Sequence, residues 1–229
     1  MKISVLLKNL GWFIAEILFP RKCIFCGEII SEKKDILICG ICEKSLPLAK
    51  DECCFEVIGD NAEYAVSPFL YEDDVRSAII KFKFYSKKHY GKTFAHFMNE
   101  ALKEICMVER FDLIVPIPLH KKKLRKRGYN QAAILAENIK AGDAVYDEDI
   151  LIKIKNKGTQ SLKTAVERAE AVKGCYVCIQ AVENKNILLV DDICTTGVTL
   201  NYCAGELKKL GAKRVVCVTA AKRHLDKDE

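Results

Sequence analysis

Two adjacent carboxylates ahead of a Thr/Gly-rich stretch form the part of this sequence best suited to chemistry. Asp191 and Asp192 follow the apolar run 187–190, which is typical of a strand buried on both faces, and a helix is predicted over 198–210. At such a junction, backbone amides and threonine hydroxyls can hold a phosphate, while the carboxylates suit sugar hydroxyls or magnesium-bound water. The pattern predicts a phosphate-binding site; the alternative is a strand end with a Thr-rich helix cap and no ligand.

Four cysteines near the start of the chain have the spacing of metal ligands. Cys23 and Cys26 form one CxxC pair, Cys39 and Cys42 form another, and twelve residues separate the pairs. Gly27 follows the first pair, where a metal knuckle needs a residue that tolerates positive φ. Four thiolates satisfy tetrahedral Zn²⁺ and leave no open coordination position, so the spacing predicts structural zinc. Two free or redox-active CxxC pairs are the alternative.

The other eight of the twelve cysteines are scattered through apolar or strand-like stretches. This pattern favours a reducing cytosol over disulfide formation outside the cell, so we expect a cytoplasmic protein. Cys175 and Cys178 also form a CxxC pair, but positions three apart on a strand face opposite sides and should not share a metal. Cys53 and Cys54 have no visible partner pair for a second site.

The segment 187–200 resembles the 5-phosphoribosyl-1-pyrophosphate (PRPP) signature of type I phosphoribosyltransferases. Two carboxylates followed by Thr-Thr-Gly-Val-Thr after a buried strand make a specific match. The resemblance implies that Asp191 and Asp192 hold the ribose hydroxyls and that Mg²⁺ accompanies PRPP. It also implies a cradle for the 5-phosphate made of Thr195, Thr196, Gly197, Val198 and Thr199.

Two further blocks narrow the resemblance to the ComF family of competence proteins. One is Val-Pro-Ile-Pro-Leu-His at 115–120 with Arg-Gly-Tyr-Asn-Gln-Ala at 127–132, and the other is Lys-Gly-Thr-Gln-Ser-Leu at 157–162 with Arg168. The second block resembles the flexible loop of the family, which adds Lys157 and Arg168 to the two aspartates as candidate catalytic residues. The family also implies a DNA-translocating helicase as a partner. The first block implies a pyrophosphate-binding turn made of Pro116, Ile117, Pro118, Leu119 and His120.

A basic run, which we expect to form a loop after the strand near 112–116, accounts for the net charge of the chain. There are 37 Lys and Arg against 31 Asp and Glu, a net charge of +6, and six of the basic residues lie within 121–127. Three interpretations are open: a solvated loop, a pyrophosphate clamp and a contact with single-stranded nucleic acid. Aromatic residues among nearby lysines favour the third, because single-strand binding combines basic grooves with stacking rings. The candidate nucleic-acid-binding residues are Lys121, Lys122, Lys123, Arg125, Lys126 and Arg127, and the aromatic residues are Phe82, Phe84, Tyr85, Tyr90 and Tyr129.

The elements that must position these residues alternate as in an α/β domain. Strands are predicted near 112–116, 150–154, 175–180, 186–191 and 214–220, with helices near 131–140, 161–172 and 198–210. A strand-like stretch at 64–71 precedes predicted helices over 73–84 and 91–106. The expected fold is therefore a type I phosphoribosyltransferase-like parallel sheet flanked by helices, preceded by a small N-terminal zinc module with four cysteine ligands.

Length and composition set the domain organisation. The chain has 229 residues, of which 50% are hydrophobic and 30% charged, which excludes a disordered, collagen-like or low-complexity protein. We expect an amphipathic helix at 1–20, a zinc-binding module at 21–50 and a phosphoribosyltransferase-like domain at 51–229, with hood elements at about 51–110 and the core at 111–229. Lys8, Asn9 and Glu16 interrupt the first helix, so no membrane span is expected. Packing on the protein or on a partner, or contact with a membrane surface, remains open for this helix.

Two functional hypotheses follow. The first is an accessory protein of natural transformation that handles single-stranded DNA in the cytoplasm on a scaffold that binds PRPP. The second is a metabolic phosphoribosyltransferase that transfers ribose 5-phosphate to an acceptor, and whether the chain is an enzyme stays open. A PRPP sensor, in which the ligand adjusts DNA or partner binding without turnover, is a third. The same loop serves binding and catalysis, so the residues do not separate these hypotheses.

Overall fold

The computed structural model describes residues 18, 20–30, 35–48, 55–56, 58–155 and 165–223. The predicted helix at 1–20, Cys53, Cys54 and the segment around Lys157 therefore lie almost wholly outside the described residues. The helices are α1 (Gly40–Ser45), α2 (Asp73–Phe84), α3 (Tyr90–Val108), α4 (Lys121–Arg127), α5 (Gln131–Ala136), α6 (Ala165–Val172) and α7 (Val198–Lys209). The strands are β1 (Phe55–Glu56), β2 (Ala65–Val66), β3 (Phe69–Leu70), β4 (Leu113–Pro116), β5 (Val145–Tyr146), β6 (Leu151–Lys153), β7 (Tyr176–Cys178), β8 (Asn186–Cys194) and β9 (Arg214–Lys222).

The main sheet has seven strands and is parallel except at one edge. Its order is β1-β2-β9-β8-β4-β5, with β3 also pairing β9, and β1 is antiparallel to β2. β8 lies between β4 and β9, so that Leu189 pairs with Val115 on one side and Cys217 on the other. β6 and β7 form a separate antiparallel pair. This arrangement confirms the predicted parallel sheet flanked by helices.

The two faces of the sheet bury two apolar cores, because successive residues of a strand point to opposite sides. Leu188 and Val190 of β8 pack into a core that also includes buried residues of α2 and α3. Ile187 and Leu189 pack into the opposite core with residues of α7 and β7. The central strand is therefore covered on both sides, which explains its continuous apolar run.

The cysteine-containing segment, described at 20–30 and 35–48, packs into the core that contains Leu188 and Val190. Phe25, which lies inside the first CxxC pair, is buried, and its ring centroid is 5.7 Å from that of Phe69 and 5.9 Å from that of Phe94. The backbone N–H of Leu37 donates to the hydroxyl of Thr93 at 2.9 Å. These contacts attach the segment to β3 and α3.

Several predicted boundaries differ from the structure. The basic run was expected to be a loop, and that was wrong: it forms α4, since its lysines, arginines and leucine favour helix and no Gly or Pro interrupts them. β8 does not end at 191 but pairs with β9 as far as Cys194. The stretch 64–71 divides into β2 and β3, while α2 spans its predicted residues. No helix among the described residues is both long and apolar enough to cross a membrane.

Candidate functional site

The two aspartates are consecutive residues near the carboxyl end of β8 and face opposite sides of the sheet. By the alternation of the strand, Asp191 shares the side of Leu189 and Asp192 shares the side of Val190. Asp192 forms an ion pair with Lys83 of α2, with 2.8 Å between Nζ and Oδ1. Both side chains are largely buried, at 19% exposed for Lys83 and 12% for Asp192. Side chains from both sides of the sheet can therefore contact one or the other of the two carboxylates.

Burial and the neighbouring charge of Asp192 raise the pKa of Asp191 to about 7. The Lys83 ammonium opposes this rise, as does the backbone N–H of Asp192, which donates to Oδ1 of Asp191 at 2.8 Å. Desolvation penalises the ionised carboxylate, and a second carboxylate next to it adds to the penalty. Asp191 thus holds its proton to a much higher pH than an ordinary aspartate, and a cation added to the site would favour loss of that proton.

A cavity of about 340 Å³ opens beside these carboxylates. It lies at the carboxyl end of β8 and the N-terminus of α7, where parallel α/β sheets bind ligands. The lining residues are Lys83, Val172, Asp191, Asp192, Ile193, Thr195, Thr196, Val198 and Thr199. The structure therefore brings together the residues predicted to bind PRPP, and Gly197 lies buried beneath them.

Gly197 allows the loop to approach the body of the protein. It has a φ of 67°, precedes α7 as its N-cap, and accepts a hydrogen bond from the N–H of Asn201 at 2.8 Å. A Cβ at this position would lie 2.5 Å from Cβ of Ile58. Sequence reasoning missed Ile58, because nothing in its local pattern shows that it packs against a loop so far along the chain.

The predicted pyrophosphate turn follows β4, next to β8. The N–H of Ile117 donates to the carbonyl of Val190 at 2.8 Å, and the side-chain amide of Asn130 donates to the carbonyl of Ile117 at 3.0 Å. Pro118 and Leu119 line a second cavity, of about 460 Å³, that also includes Lys153. The turn is thus held against β8 but lines a cavity different from the one beside the aspartates.

His120 and the two loop residues have separate placements. His120 is the N-cap of α4, where its Nδ1 accepts from the N–H of Lys122 at 3.2 Å, so it has a structural role in this helix. Arg168 lies on α6, which packs against α7. Lys157 lies outside the described residues. The catalytic roles of Lys157 and Arg168 stay predictions.

The basic helix α4 borders this site through α2. The guanidinium of Arg127 lies 4.8 Å from the ring centroid of Phe84, within the range of a cation–π interaction, and its Nη1 donates to Oε1 of Gln131 at 2.9 Å. Burial lowers the pKa of Lys123, and the charges of Arg127 and Lys83 lower it further. The cation that holds Asp192 therefore acts electrostatically on α4.

The aromatic residues near α4 separate into two groups. Phe82, Tyr90 and Tyr129 are buried, and the hydroxyl of Tyr129 donates to the carbonyl of Phe82, so these rings are part of the core. Phe84 and Tyr85 are 62% and 65% exposed. Only the second group can stack on a ligand, which narrows the set of aromatic residues expected from the sequence.

The four predicted zinc ligands converge. The sulfur atoms of Cys23, Cys26, Cys39 and Cys42 all lie within 4.8 Å of one another, and those of Cys26 and Cys39 are 3.6 Å apart. Tetrahedral zinc with Zn–S bonds of about 2.3 Å requires sulfur atoms about 3.8 Å apart, so the arrangement fits the ion. The N–H of Cys42 lowers the pKa of Cys39 to about 7, which favours the thiolate.

Two details of the cysteine prediction are also clear. Gly27 has a φ of 85° and its N–H donates to the carbonyl of Cys23 at 3.0 Å, as expected for a knuckle. Among the described residues, those four cysteines are the only group of three or more His, Cys, Asp or Glu side chains placed closely enough to hold a metal ion directly. The thiols of Cys175 and Cys178 donate instead to the carbonyls of Ala171 and Gln180.

Comparison with known proteins gives two domain matches. The phosphoribosyl transferase domain matches residues 124–229, and the double zinc ribbon domain matches residues 14–66. The first match contains β8, the carboxylates and the loop before α7, and the second contains the four cysteines. A phosphoribosyltransferase fold and a structural zinc site therefore account for the two clusters of functional side chains.

Three curated proteins are similar over different shares of the chain. Competence protein F of Haemophilus influenzae is 28% identical over 199 residues, covering 83% of this chain and 86% of that protein. Competence protein ComFC of Streptococcus pneumoniae is 25% identical over 224 residues, covering 85% of this chain and 96% of that protein. DNA utilization protein YhgH of Escherichia coli K12 is 28% identical over 105 residues, covering 45% of this chain and 46% of that protein.

Proposed function

Since this chain is a ComFC-like protein with a phosphoribosyltransferase domain, we propose that it serves DNA uptake in competence by handling single-stranded DNA in the cytoplasm. In this proposal the DNA contacts α4 and the exposed rings of Phe84 and Tyr85 at the end of α2. The cavity beside the aspartates binds PRPP. A competence helicase that delivers the strand is the expected protein partner. The names of the similar proteins, competence protein and DNA utilization protein, support the general role.

One observation carries the DNA-binding part of the proposal: a short helix rich in basic residues borders an exposed aromatic ring. All six lie on a single helix of seven residues, and Arg127 of that helix contacts the exposed ring of Phe84. The lysines and arginines of such a helix can neutralise backbone phosphates, and bases stack on aromatic rings and guanidinium groups without sequence preference. The combination favours a single strand, whose unpaired bases are free to stack.

In the proposed PRPP site, different residues of the cavity would bind different parts of the ligand. The amides and hydroxyls of the loop before α7 would hold the 5-phosphate, where the helix dipole also favours an anion. Asp191 and Asp192 would hold the ribose hydroxyls and the water shell of Mg²⁺, because carboxylate oxygens suit this hard cation. Bound Mg²⁺ supplies charge neutralisation to the pyrophosphate group. Lys83 must share or release Asp192 when the ribose binds.

DNA binding is tested by fluorescence anisotropy with a labelled oligonucleotide at several salt concentrations. If all six basic residues of α4 contact phosphates, log K falls with log salt at a slope of about −4 for a single strand. Replacing the six residues with Gln should abolish most of the affinity and flatten this slope. An Asp191→Asn, Asp192→Asn double variant is the matched control and should keep DNA binding. Unchanged affinity in the α4 variant would exclude α4 as the DNA contact.

The alternative is a metabolic phosphoribosyltransferase, which the carboxylate pair beside the cavity favours. In that reaction the bond between C1 of ribose and the pyrophosphate oxygen breaks, pyrophosphate leaves with the electron pair, and an acceptor bonds to C1 and loses a proton. Release of pyrophosphate that requires both Mg²⁺ and an acceptor would support this function. If no acceptor in a panel causes release of pyrophosphate although PRPP is shown to bind, the protein binds PRPP without transferring its ribose 5-phosphate.

A further inference from the structure

A second basic surface lies between the zinc-binding segment and the turn that joins α2 to α3. Here a cavity of about 430 Å³, which we call the basic cavity, is separate from the cavity beside the aspartates. Two stretches of the cysteine-containing segment form one wall, and the α2–α3 turn with the start of α3 forms the other. The lining residues are Pro20, Arg21, Lys22, Asp35, Leu37, Lys87, His89, Tyr90 and Lys92.

The charges of the basic cavity are nearly all positive. Arg21, Lys22, Lys87 and Lys92 converge on it, against Asp35 as the one carboxylate in its lining. Within the part of the chain that the structure describes, Lys22, Lys87 and Lys92 have no carboxylate within ion-pair distance. Like charges held together in a concave surface focus a positive potential, which attracts anions.

Ordered backbone positions two of the segments that carry these cations. Lys22 forms a β-bridge with Ile29 beside the first CxxC pair, and the N–H of Tyr90 donates to the carbonyl of Lys87 at 3.0 Å. The buried ring of Tyr90 and the hydrogen bond between Leu37 and Thr93 join the two walls to the core. The two walls of the cavity are thus joined by tertiary packing, and Lys22, Lys87 and Lys92 are exposed along it.

The same turn connects the basic cavity to α4. Phe84 and Tyr85 are exposed at the end of α2, and Arg127 of α4 contacts Phe84. The ammonium of Lys88, three residues after Tyr85, lies 5.3 Å from the ring centroid of the buried Tyr129, which follows Gly128, the C-cap of α4. Along the chain, the exposed rings of Phe84 and Tyr85 therefore lie between the contact with Arg127 of α4 and Lys87 of the basic cavity.

We propose that the basic cavity binds phosphate groups of the single strand that α4 contacts, so that the strand crosses the α2–α3 turn and ends at the zinc-binding segment. This inference rests on the proposed DNA-binding function and extends its surface. The cavity supplies the phosphate contacts, and Phe84 and Tyr85 supply stacking between the two basic surfaces. The zinc site then maintains one wall of the DNA-binding surface in addition to its role in folding.

The test compares two triple variants of the full chain by fluorescence anisotropy. One is Lys22→Gln, Lys87→Gln, Lys92→Gln; the control is Lys103→Gln, Lys173→Gln, Lys209→Gln, which replaces lysines that are 71%, 72% and 69% exposed elsewhere. Each protein is titrated with oligonucleotides of about 6 and about 20 nucleotides, bracketing the site size of single-strand binders. Zinc content and circular dichroism verify that each variant is folded.

We expect the cavity variant to lose affinity for the long oligonucleotide and to lower its salt slope by about 2, since each phosphate contact on a single strand contributes about 0.7. Binding of the short oligonucleotide, which α4 can hold alone, should change little, and the control variant should bind both as wild type does. Wild-type affinity and slope of the cavity variant for the long strand would overturn the inference.

Two other results have separate meanings. If inorganic phosphate or a mononucleotide protects the wild type but not the cavity variant from thermal unfolding, while DNA binding is the same in both, the cavity binds a small phosphate ligand and the DNA inference is wrong. If the wild type binds neither oligonucleotide, the proposed function itself fails, whatever the cavity variant does.

Discussion

Replacing Gly197 with Ala tests whether the loop before α7 is held in a shape that binds phosphate. Gly197 has a φ of 67°, and a Cβ there would lie 2.5 Å from Cβ and 2.7 Å from Cγ2 of Ile58. The left-handed conformation costs a non-glycine residue about 1–2 kcal/mol. Relief of the clash requires the loop or Ile58 to move, and overpacking of this kind costs about 1–3 kcal/mol more. The expected loss of stability is therefore about 2–5 kcal/mol.

Gly142→Ala is the control that separates the cost of a left-handed backbone from the cost of displacing neighbouring atoms. Gly142 has a φ of 63°, but a Cβ there meets no atom of the described residues within 4 Å. This control should lose only the conformational part, about 1–2 kcal/mol, which corresponds to a fall in Tm of about 2–8 °C for a domain of this size. Urea unfolding of the two variants gives the difference in free energy directly.

Thermal unfolding with and without Mg²⁺ and PRPP connects the loop to its ligand. Wild type and Gly142→Ala should show the same rise in Tm on addition of ligand, because a ligand that binds only the folded state stabilises it. Gly197→Ala should show a much smaller rise, since its loop amides are displaced. The reasoning is refuted if Gly197→Ala is no less stable than Gly142→Ala and keeps the full ligand-induced rise.

Three further predictions concern the carboxylates and the zinc site. Affinity for Mg²⁺ with PRPP should increase as pH rises through about 7, because Asp191 must lose its proton to bind; Asp191→Asn should flatten that profile, which isothermal titration at several pH values measures. Lys83→Met should move the midpoint of the same profile to higher pH, because the ammonium lowers the pKa of Asp191; an unmoved midpoint would contradict the electrostatic role of Lys83. Cys42→Ser should reduce bound zinc, measured by native mass spectrometry, and lower the thermal stability, whereas Cys178→Ser should retain zinc because its thiol donates to Gln180 away from the metal cluster.

The raised pKa of Asp191 also gives stability a defined dependence on pH. The ordinary value for the unfolded chain is 3.8 and the folded value is about 7, so the folded protein holds the proton over this interval when the unfolded chain has released it. The contribution of this group to stability therefore falls as pH rises from about 4 to about 7 and is constant above that. Because burial of this carboxylate lowers the stability of the protein at neutral pH, we expect that the carboxylate binds a ligand in the cavity.

Local patterns in the sequence were sufficient for the elements and for the identity of most functional side chains. The CxxC spacing predicted a cluster of four sulfur atoms, because each pair offers two sulfurs from one tight turn and the metal needs four. The run 187–190 predicted a central strand, since only burial on both faces tolerates four apolar residues in succession. The helix over α2 was predicted with its observed ends.

Where local signals compete, the sequence was less informative. The basic run was expected to be a loop, yet the histidine N-cap and the helix-forming side chains stabilise α4. The aromatic residues near it could not be assigned to core or surface from spacing. Burial of Tyr129 and exposure of Phe84 depend on which face of α2 packs against the sheet.

The sequence by itself determined which chemistry is available: four thiolates, two adjacent carboxylates, a phosphate-binding loop and a row of cations. Tertiary structure alone decided which side chains from distant elements meet. Lys83 reaches Asp192, Ile58 restricts Gly197, and Lys22 lies across a cavity from Lys87 because distant segments pack on the two faces of one sheet. Spacing along a chain specifies turns, strands and helices, whereas contacts between them depend on the burial of every side chain at once.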